Sequence, residues 1–509
     1  MKLLKPFVTI SGLTFISKIL GFIRDILIAF VIGAGLIADI FFLAFKLPNF
    51  FRRLFAEGAF NAAFIPSFSS ILKQEGKQKA LKFASEVFSI LFFTLLLTIL
   101  IIEFFMPVVV YILAPGFINH PSKLELLIQL SRITFPYLFF ISLVSLLTGI
   151  LNSFNKFAIG SAAPILLNLS FIFFIMSFDS FFTTKGHMLS WAVFFGGLVQ
   201  LIFLFYGIFK NKFYIFFPKP KFTNKIRKLF KLIVPGAIGA GVIQINLLID
   251  VIIASFLPTG SISYLYYAER INQLPIALIG VAVGTILLPK LSKQISNKNY
   301  EKANYSHNRS LEFSIILSFP AAIAIFILSD PIISAFFERG EFSFQDRILS
   351  AKALQAFAIG IPAYILVKVL APAFFARHNT VTPVKIAIFC VFLNLILNII
   401  LMQFYQHVGI ALATAITSWV NAFLLFIILT KSKYLLIDQE LKKQIKKLFF
   451  VCIIFTSIIF YLKDILNITT DFKLIFLFLF VVFGVLLFSI LCLLFKVINI
   501  SNKGLLKSK

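Results

Sequence analysis

Charge is scarce in this sequence. Only 13% of its 509 residues are Asp, Glu, Lys or Arg, and 60% are apolar, against ~25% charged in a soluble domain. At a mean hydropathy of +1.00, a water-soluble fold would have almost no surface to offer. That excludes a soluble enzyme, a nucleic-acid-binding domain and a disordered chain. Cysteine is rare. Cys390, Cys452 and Cys492 lie far apart in apolar runs, without metal or redox spacing, and read as packing residues. The five histidines form no cluster. No P-loop, H-E-x-x-H, C-x-x-C or G-x-S-x-G motif occurs. Gly33–Ala38 loosely matches a dinucleotide pattern, but it joins two apolar runs with no strand before it and reads as a tight turn. The chain is therefore not read as an enzyme. Transport, with no ATPase motif, would run on ion gradients, the membrane potential or the substrate's own gradient.

What is present is a series of long apolar runs. Hydropathy gives fourteen spans, roughly 7–33, 36–66, 83–113, 126–151, 158–178, 187–209, 229–256, 262–289, 311–329, 350–376, 382–404, 408–430, 446–462 and 472–495. Lys18, Arg24 and Asp25 interrupt the first, so it is expected to stay uncleaved. The net charge of +27 (47 Lys+Arg against 20 Asp+Glu) sorts by loop. One alternating set of loops carries 31 of the cations, the opposite set carries 6, and 10 fall within or at the edge of spans. By the positive-inside rule both termini are expected in the cytoplasm, which fits an even number of spans.

The chain matches itself at a shift of about 220–226 residues: Asp39 and Lys46 against Ser263 and Arg270, Pro66 against Pro289, Pro136 against Pro362, Asn168 against Asn394. Six spans is an even shift, so the two halves are expected as parallel repeats. The expected fold is an all-α polytopic membrane protein with two six-helix lobes in pseudo-twofold relation plus two extra helices. The divisions are an N-lobe at 1–210, a basic cytoplasmic linker at 211–228, a C-lobe at 229–431, and the last two helices with a tail at 432–509.

Buried charge carries the chemistry. The cations inside spans include Lys18, Arg24, Lys46, Arg52, Arg53 and Arg270. A central charge costs about 2.5–3.5 kcal/mol on insertion scales, so these are expected to face a watery cavity or to pair with acids. Asp25, Asp39, Glu57 and Glu269 lie in the same spans but are fewer than the cations. Fold-locking salt bridges are the plainer reading. The surplus of cations favours an anion, and arginine forks suit phosphate oxygens. In the eighth span Ser263, Tyr266, Tyr267, Arg270 and Gln273 line one face. A second set is Asp250, Asn394, Asn398 and Thr414. Oxygens of this kind suit a hard cation such as Na⁺, whereas spacing alone favours interhelical hydrogen bonding.

Several runs then point to a family. Ser17–Asp25, Gly33-Ala34-Gly35, Ala44–Asn49, Phe51–Phe60, Tyr266–Arg270, Gly284–Pro289 and Thr382–Lys385 resemble the MurJ (MviN) family of lipid II flippases. The resemblance covers the first twelve spans and thins in the last two. It implies a MATE-like fold, a central cavity with alternating access, and a groove for the undecaprenyl tail on the last two helices. The family's cavity cations map onto Lys18, Arg24, Arg52 and Arg270, with lysine standing where arginine is usual at 18. Asp25, Asp39, Glu57 and Ser263 match cavity positions. Lys46, which shares a face with Asp39, joins the substrate set. A family sodium site would map onto Asp250, Asn394, Asn398, the Ile410 carbonyl and Thr414, with Asn398 in place of an acid. The implied partners are lipid II, membrane lipids and the cell-wall synthesis machinery, with no nucleic acid, and the chain is expected to act as a monomer in the bacterial inner membrane. Two alternatives stay open: a flippase for another polyprenyl-linked oligosaccharide, and a cation-coupled multidrug antiporter of the same fold.

Overall fold

The computed structural model describes residues 4–53, 60–178, 180–463 and 473–497. Among the described residues there are helices and turns but no strand. By its contacts the chain forms two compact units, Met1–Ser263 with Arg339–Phe342, and Tyr264–Glu338 with Ser343–Lys509. The first unit thus runs past the expected linker at 211–228.

The first unit contains α1 (Leu4–Ile32), α2 (Leu36–Phe51), α3 (Phe60–Glu75), α4 (Lys77–Phe104), α5 (Met106–Leu113), α6 (Pro121–Thr134), α7 (Tyr137–Ser153), α8 (Phe157–Ser177), α9 (Lys185–Lys210) and α10 (Asn224–Ala254). Helix α11 (Ser261–Pro275) begins at its end. The second unit continues with α12 (Ala282–Ser296), α13 (Tyr300–Ile327), α14 (Ser329–Phe337), α15 (Phe344–Phe375), α16 (Val381–Lys431), α17 (Gln439–Leu462) and α18 (Lys473–Leu494).

Among the described residues ten stretches are long and apolar enough to cross a membrane, and the chain is a multi-pass membrane protein. Several expected spans are broken, and proline explains most breaks. The expected 83–113 divides at Phe105, with Pro107 in the first turn of α5. The expected 126–151 divides at Phe135 and Pro136. After Pro275, which lacks an N–H and crowds the carbonyl four residues back, the backbone widens into a π-helical stretch at Ile276–Val281. Of the expected 36–66, the described residues form α2, a π-helical pair at 52–53 and α3, and residues 54–59 lie outside them. Pro48 lies inside α2.

Helix α16 holds both the eleventh and twelfth expected spans. Its 51 residues would reach about 75 Å if straight, more than twice a bilayer's core. It is interrupted at Gln406, at φ 48° and ψ −130°. A Cβ on Gly409 would collide with the Leu401 carbonyl, which no straight helix allows eight residues away, so the chain doubles back there. A second close approach joins Gly33 (φ 59°) and Gly340 (φ 58°), where Glu341 N–H donates to the Phe30 carbonyl at 2.9 Å. A side chain at Gly33 would strike the Glu341 backbone, and one at Gly340 the Phe30 carbonyl.

In the first unit Phe41 stacks on Phe45, and both meet Phe171 edge-on. In the second, α12, α13, α15 and α16 enclose a core that includes Leu287, Leu311, Val369, Phe374 and Leu425. Charge ties α17 and α18 to this unit. Arg309 of α13 holds Glu312 and, at 2.5 Å, Asp438 at the start of α17. Lys473, the first residue of α18, holds Glu338 at 2.8 Å and the Ser334 hydroxyl at 2.9 Å. Arg347 adds contacts to Glu338 at 3.2 Å and Asp330 at 3.1 Å. Burial works against a charged Glu338, but Lys473, Ser334 and Arg347 outweigh it and hold its carboxyl below the usual range.

Candidate functional site

Arg24 and Asp25 are adjacent on α1, and both are buried, at 7% and 2% exposure. The guanidinium donates to Asp25 Oδ1 from Nε at 3.1 Å and from Nη2 at 2.8 Å. Its Nη1 donates to Asn168 Oδ1 of α8 at 3.0 Å, and the group stacks over Phe171 at 5.2 Å. Asn168 is itself fixed by donating to the Ser17 carbonyl at 3.0 Å. Arg24 is thus a buried, oriented fork with an internal counter-charge. Lys18, on the same helix, is exposed.

Asp39, at the start of α2, does a different job. Its carboxylate accepts from the Gly260 N–H at 2.6 Å, the Ser263 N–H at 2.8 Å and the Ser263 hydroxyl at 2.6 Å. These are the open N–H groups at the start of α11, where a negative charge is favoured by both hydrogen bonding and the helix dipole. The two residues matched by the repeat are therefore bonded to each other. Lys46 is half-buried further along α2. Arg52, π-helical just after α2, donates from Nε to Asn49 Oδ1 at 3.0 Å, and Asn49 donates to the Phe45 carbonyl at 2.9 Å. Glu57 lies outside the described residues.

In the second unit the expected polar stripe of α11 divides by burial. Arg270 donates from Nη2 to the Tyr266 hydroxyl at 2.7 Å and lies over its ring at 4.7 Å. Gln273 donates to Glu269 at 2.8 Å. Tyr267 is fully buried against Phe337, 5.0 Å away, and serves packing.

The expected sodium ligands Asn394 and Asn398 are fully buried one turn apart on α16. Thr414 donates to the Ile410 carbonyl at 3.1 Å, so two expected ligands are already hydrogen-bonded to each other. Asp250 is half-buried on α10, in the first unit.

Sequence reading missed three supports: Asn168 under Arg24, Asn49 under Arg52, and Gly260 beside Asp39. Asn168 had a visible signal, an amide in an otherwise apolar span. Gly260 had none, since only its backbone N–H takes part.

The family model described as Lipid II flippase MurJ matches residues 28–483. A "Probable lipid II flippase MurJ" from Rhizobium tropici is 40% identical over 467 residues, covering 91% of this chain and 87% of its own. One from Rickettsia prowazekii (strain Madrid E) is 39% identical over 465 residues, covering 91% of each. A solved lipid II flippase MurJ in an inward closed conformation superposes with a TM-score of 0.80 at 29% identity, covering 96% of this chain and 99% of that one. An inward-facing multidrug MATE transporter of the MOP superfamily shares the fold alone, at a TM-score of 0.67 and 16% identity over 86% of this chain and 99% of that one. With its family model matched over most of its length and relatives near 40% identity, this chain belongs to the MurJ family of lipid II flippases.

Proposed function

We propose that this chain carries lipid II from the inner to the outer leaflet of a bacterial inner membrane by alternating access, with Arg24, Arg52 and Arg270 as the cations that receive its pyrophosphate. Family membership carries the substrate. The buried, pre-oriented Arg24 fork is the observation that carries the anion chemistry. Arginine matches phosphate oxygens two at a time, and a buried guanidinium acts in a medium that screens it weakly. Lys18 and Lys46 add charge without the fork. Asp25, Asp39, Ser263 and Glu57 complete the expected set, and the short distances from Asp39 to Gly260 and Ser263 support a positioning role for it.

Each negative charge moved outward across a membrane that is negative inside gains about 2.3 kcal/mol per 100 mV. The membrane potential is therefore a sufficient drive for export, with sodium at Asp250, Asn394, Asn398, Ile410 and Thr414 resetting the carrier. Cytoplasmic termini, a monomeric carrier, and contact with the wall-synthesis machinery belong to the same reading. The 31-to-6 division of loop cations supports the orientation.

The test is complementation of a depleted lipid II flippase, read by headgroup exposure at the cell surface. Arg270→Ala should lose export while the protein still accumulates in the membrane. Normal exposure with that variant would overturn the cationic reading. Sodium is tested separately, by export from sodium-loaded and sodium-free vesicles with Asn398→Ala as the variant that should erase any difference.

A further inference from the structure

The basic segment joining α9 to α10 is not a free loop. Phe213 stacks on Phe154 at 4.3 Å, with the Lys77 ammonium 4.9 Å from its ring. The chain then runs without helix along α4. The Phe216 N–H donates to the Ser85 hydroxyl at 2.9 Å, and the Ser89 hydroxyl donates to the Pro218 carbonyl at 2.5 Å. Phe217 meets Phe92 at 5.0 Å and Phe93 at 5.5 Å. Beyond it, the Thr223 hydroxyl donates to Glu86 at 3.4 Å, and Lys225 pairs with Glu75 at 2.6 Å.

Those contacts set a depth. Phe92 lies ten residues beyond Lys82, the last cation at that end of α4, which is about 15 Å along the helix axis. Phe217 therefore reaches the level where α4 turns Phe93, Leu96 and Leu97 outward. Non-helical backbone is costly in hydrocarbon unless its polar groups are satisfied. Here the two serines, both almost wholly buried, take one N–H and one carbonyl, and Pro218 and Pro220 have no N–H to satisfy. Outward from this strip point Tyr214 and Phe216, with Phe222 beyond them, at 60%, 68% and 63% exposure. Lys210, Lys212, Lys219 and Lys221 flank them, all exposed. None of the four is in an ion pair among the described residues, and the acids nearest along the segment, Glu75 and Glu86, are engaged by Lys225 and Thr223.

We infer that residues 210–222 form an interfacial anchor that sinks aromatic rings into one leaflet and gathers anionic lipid headgroups around its lysines. Loop cations that only fix orientation need neither the rings nor the serine-held backbone. Aromatic rings sunk beneath the headgroups, flanked by lysines whose long stems reach back up to them, are the chemistry of an anionic membrane surface. An acidic protein would supply the charge but gives no reason for the depth of Phe217.

The probe is the full chain with Phe216→Trp, reconstituted into vesicles of phosphatidylglycerol and phosphatidylcholine, with brominated acyl chains on one lipid at a time. The signal is the difference from the parent protein, whose only tryptophans are Trp191 and Trp419. The introduced indole should be quenched by both lipids, and roughly twofold more by phosphatidylglycerol at equal abundance. That preference should vanish at high salt and in the K210Q/K212Q/K219Q/K221Q background, while quenching by phosphatidylcholine persists and shows the segment still in place. An introduced indole untouched by either lipid overturns the proposal in favour of a water-facing or protein-facing surface. Equal quenching by the two lipids with the lysines intact overturns the headgroup preference.

Discussion

Removing the Asp39 carboxylate should unseat the start of α11. The carboxylate accepts three hydrogen bonds, from the Gly260 N–H, the Ser263 N–H and the Ser263 hydroxyl. A hydrogen bond to a charged group contributes about 1.5–3 kcal/mol, while polar contacts between membrane helices average about 0.6 kcal/mol. Three contacts therefore bracket the loss between about 2 and about 9 kcal/mol. The cost of burying a carboxylate offsets part of this and draws the expected value for Asp39→Ala to about 2–5 kcal/mol. Asp39→Asn keeps one oxygen but turns an amide NH₂ toward a backbone N–H, so it should fall between Asp39→Ala and the parent. Ser263→Ala removes only the hydroxyl and should cost about 1 kcal/mol. Equilibrium unfolding of the purified variants in mixed micelles measures the series. The double variant should lose less than the sum of the single losses, because the shared hydroxyl bond is counted once. An Asp39→Ala protein within about 1 kcal/mol of the parent, or a Ser263→Ala loss exceeding it, would refute the capping argument.

Three further outcomes follow from other contacts. Gly409→Ala should cost a few kcal/mol or block folding, because its Cβ meets backbone, whereas Gly12→Ala, with open space around it, should be neutral or gain up to about 1 kcal/mol from helix propensity; detergent-solubilised yield and melting temperature compare them. Lys473→Met should loosen the first turn of α18, seen as faster amide exchange there but not in α15. Glu338's carboxyl is held below its ordinary 4.5 in the fold, so its contribution is complete above that value and is lost as pH falls through the lower, folded one; exchange in the first turn of α18 should rise with acidification in that window, and the Glu338→Gln protein should lack the response.

The sequence made the fold class legible because hydropathy is a direct report of what each helix faces. It was less able to place the ends. Phe105, Pro136 and Pro275 interrupt runs whose composition is uniformly apolar, and a hydropathy window averages across such points. The turn at Gln406 was visible only as a dip between two apolar runs. For the site, the repeat paired Asp39 with Ser263 by position, and in the structure they are bonded. The neighbour of Arg24 in sequence, Asp25, proved to be its partner. Asn168 was not legible as that partner's companion, since 144 residues separate it from Arg24, and pattern reasoning reaches only along one helix. Gly260 contributes a backbone N–H, and residue type does not record that.

The reversal at Gln406 has a consequence for how the protein is made. No Lys or Arg lies between Lys385 and Lys431, and the two helices meet with no loop between them. A hairpin of this kind has only a short, uncharged tip, Gln403 to His407, to carry across, so its two helices are suited to enter the bilayer together. By the positive-inside rule its orientation is expected to be set from the open end, where Arg377, Lys385, Lys431 and Lys433 lie in sequence. A lysine placed at the closed end, beside Gln406, would set the two ends in competition, and biogenesis would suffer before transport could be measured.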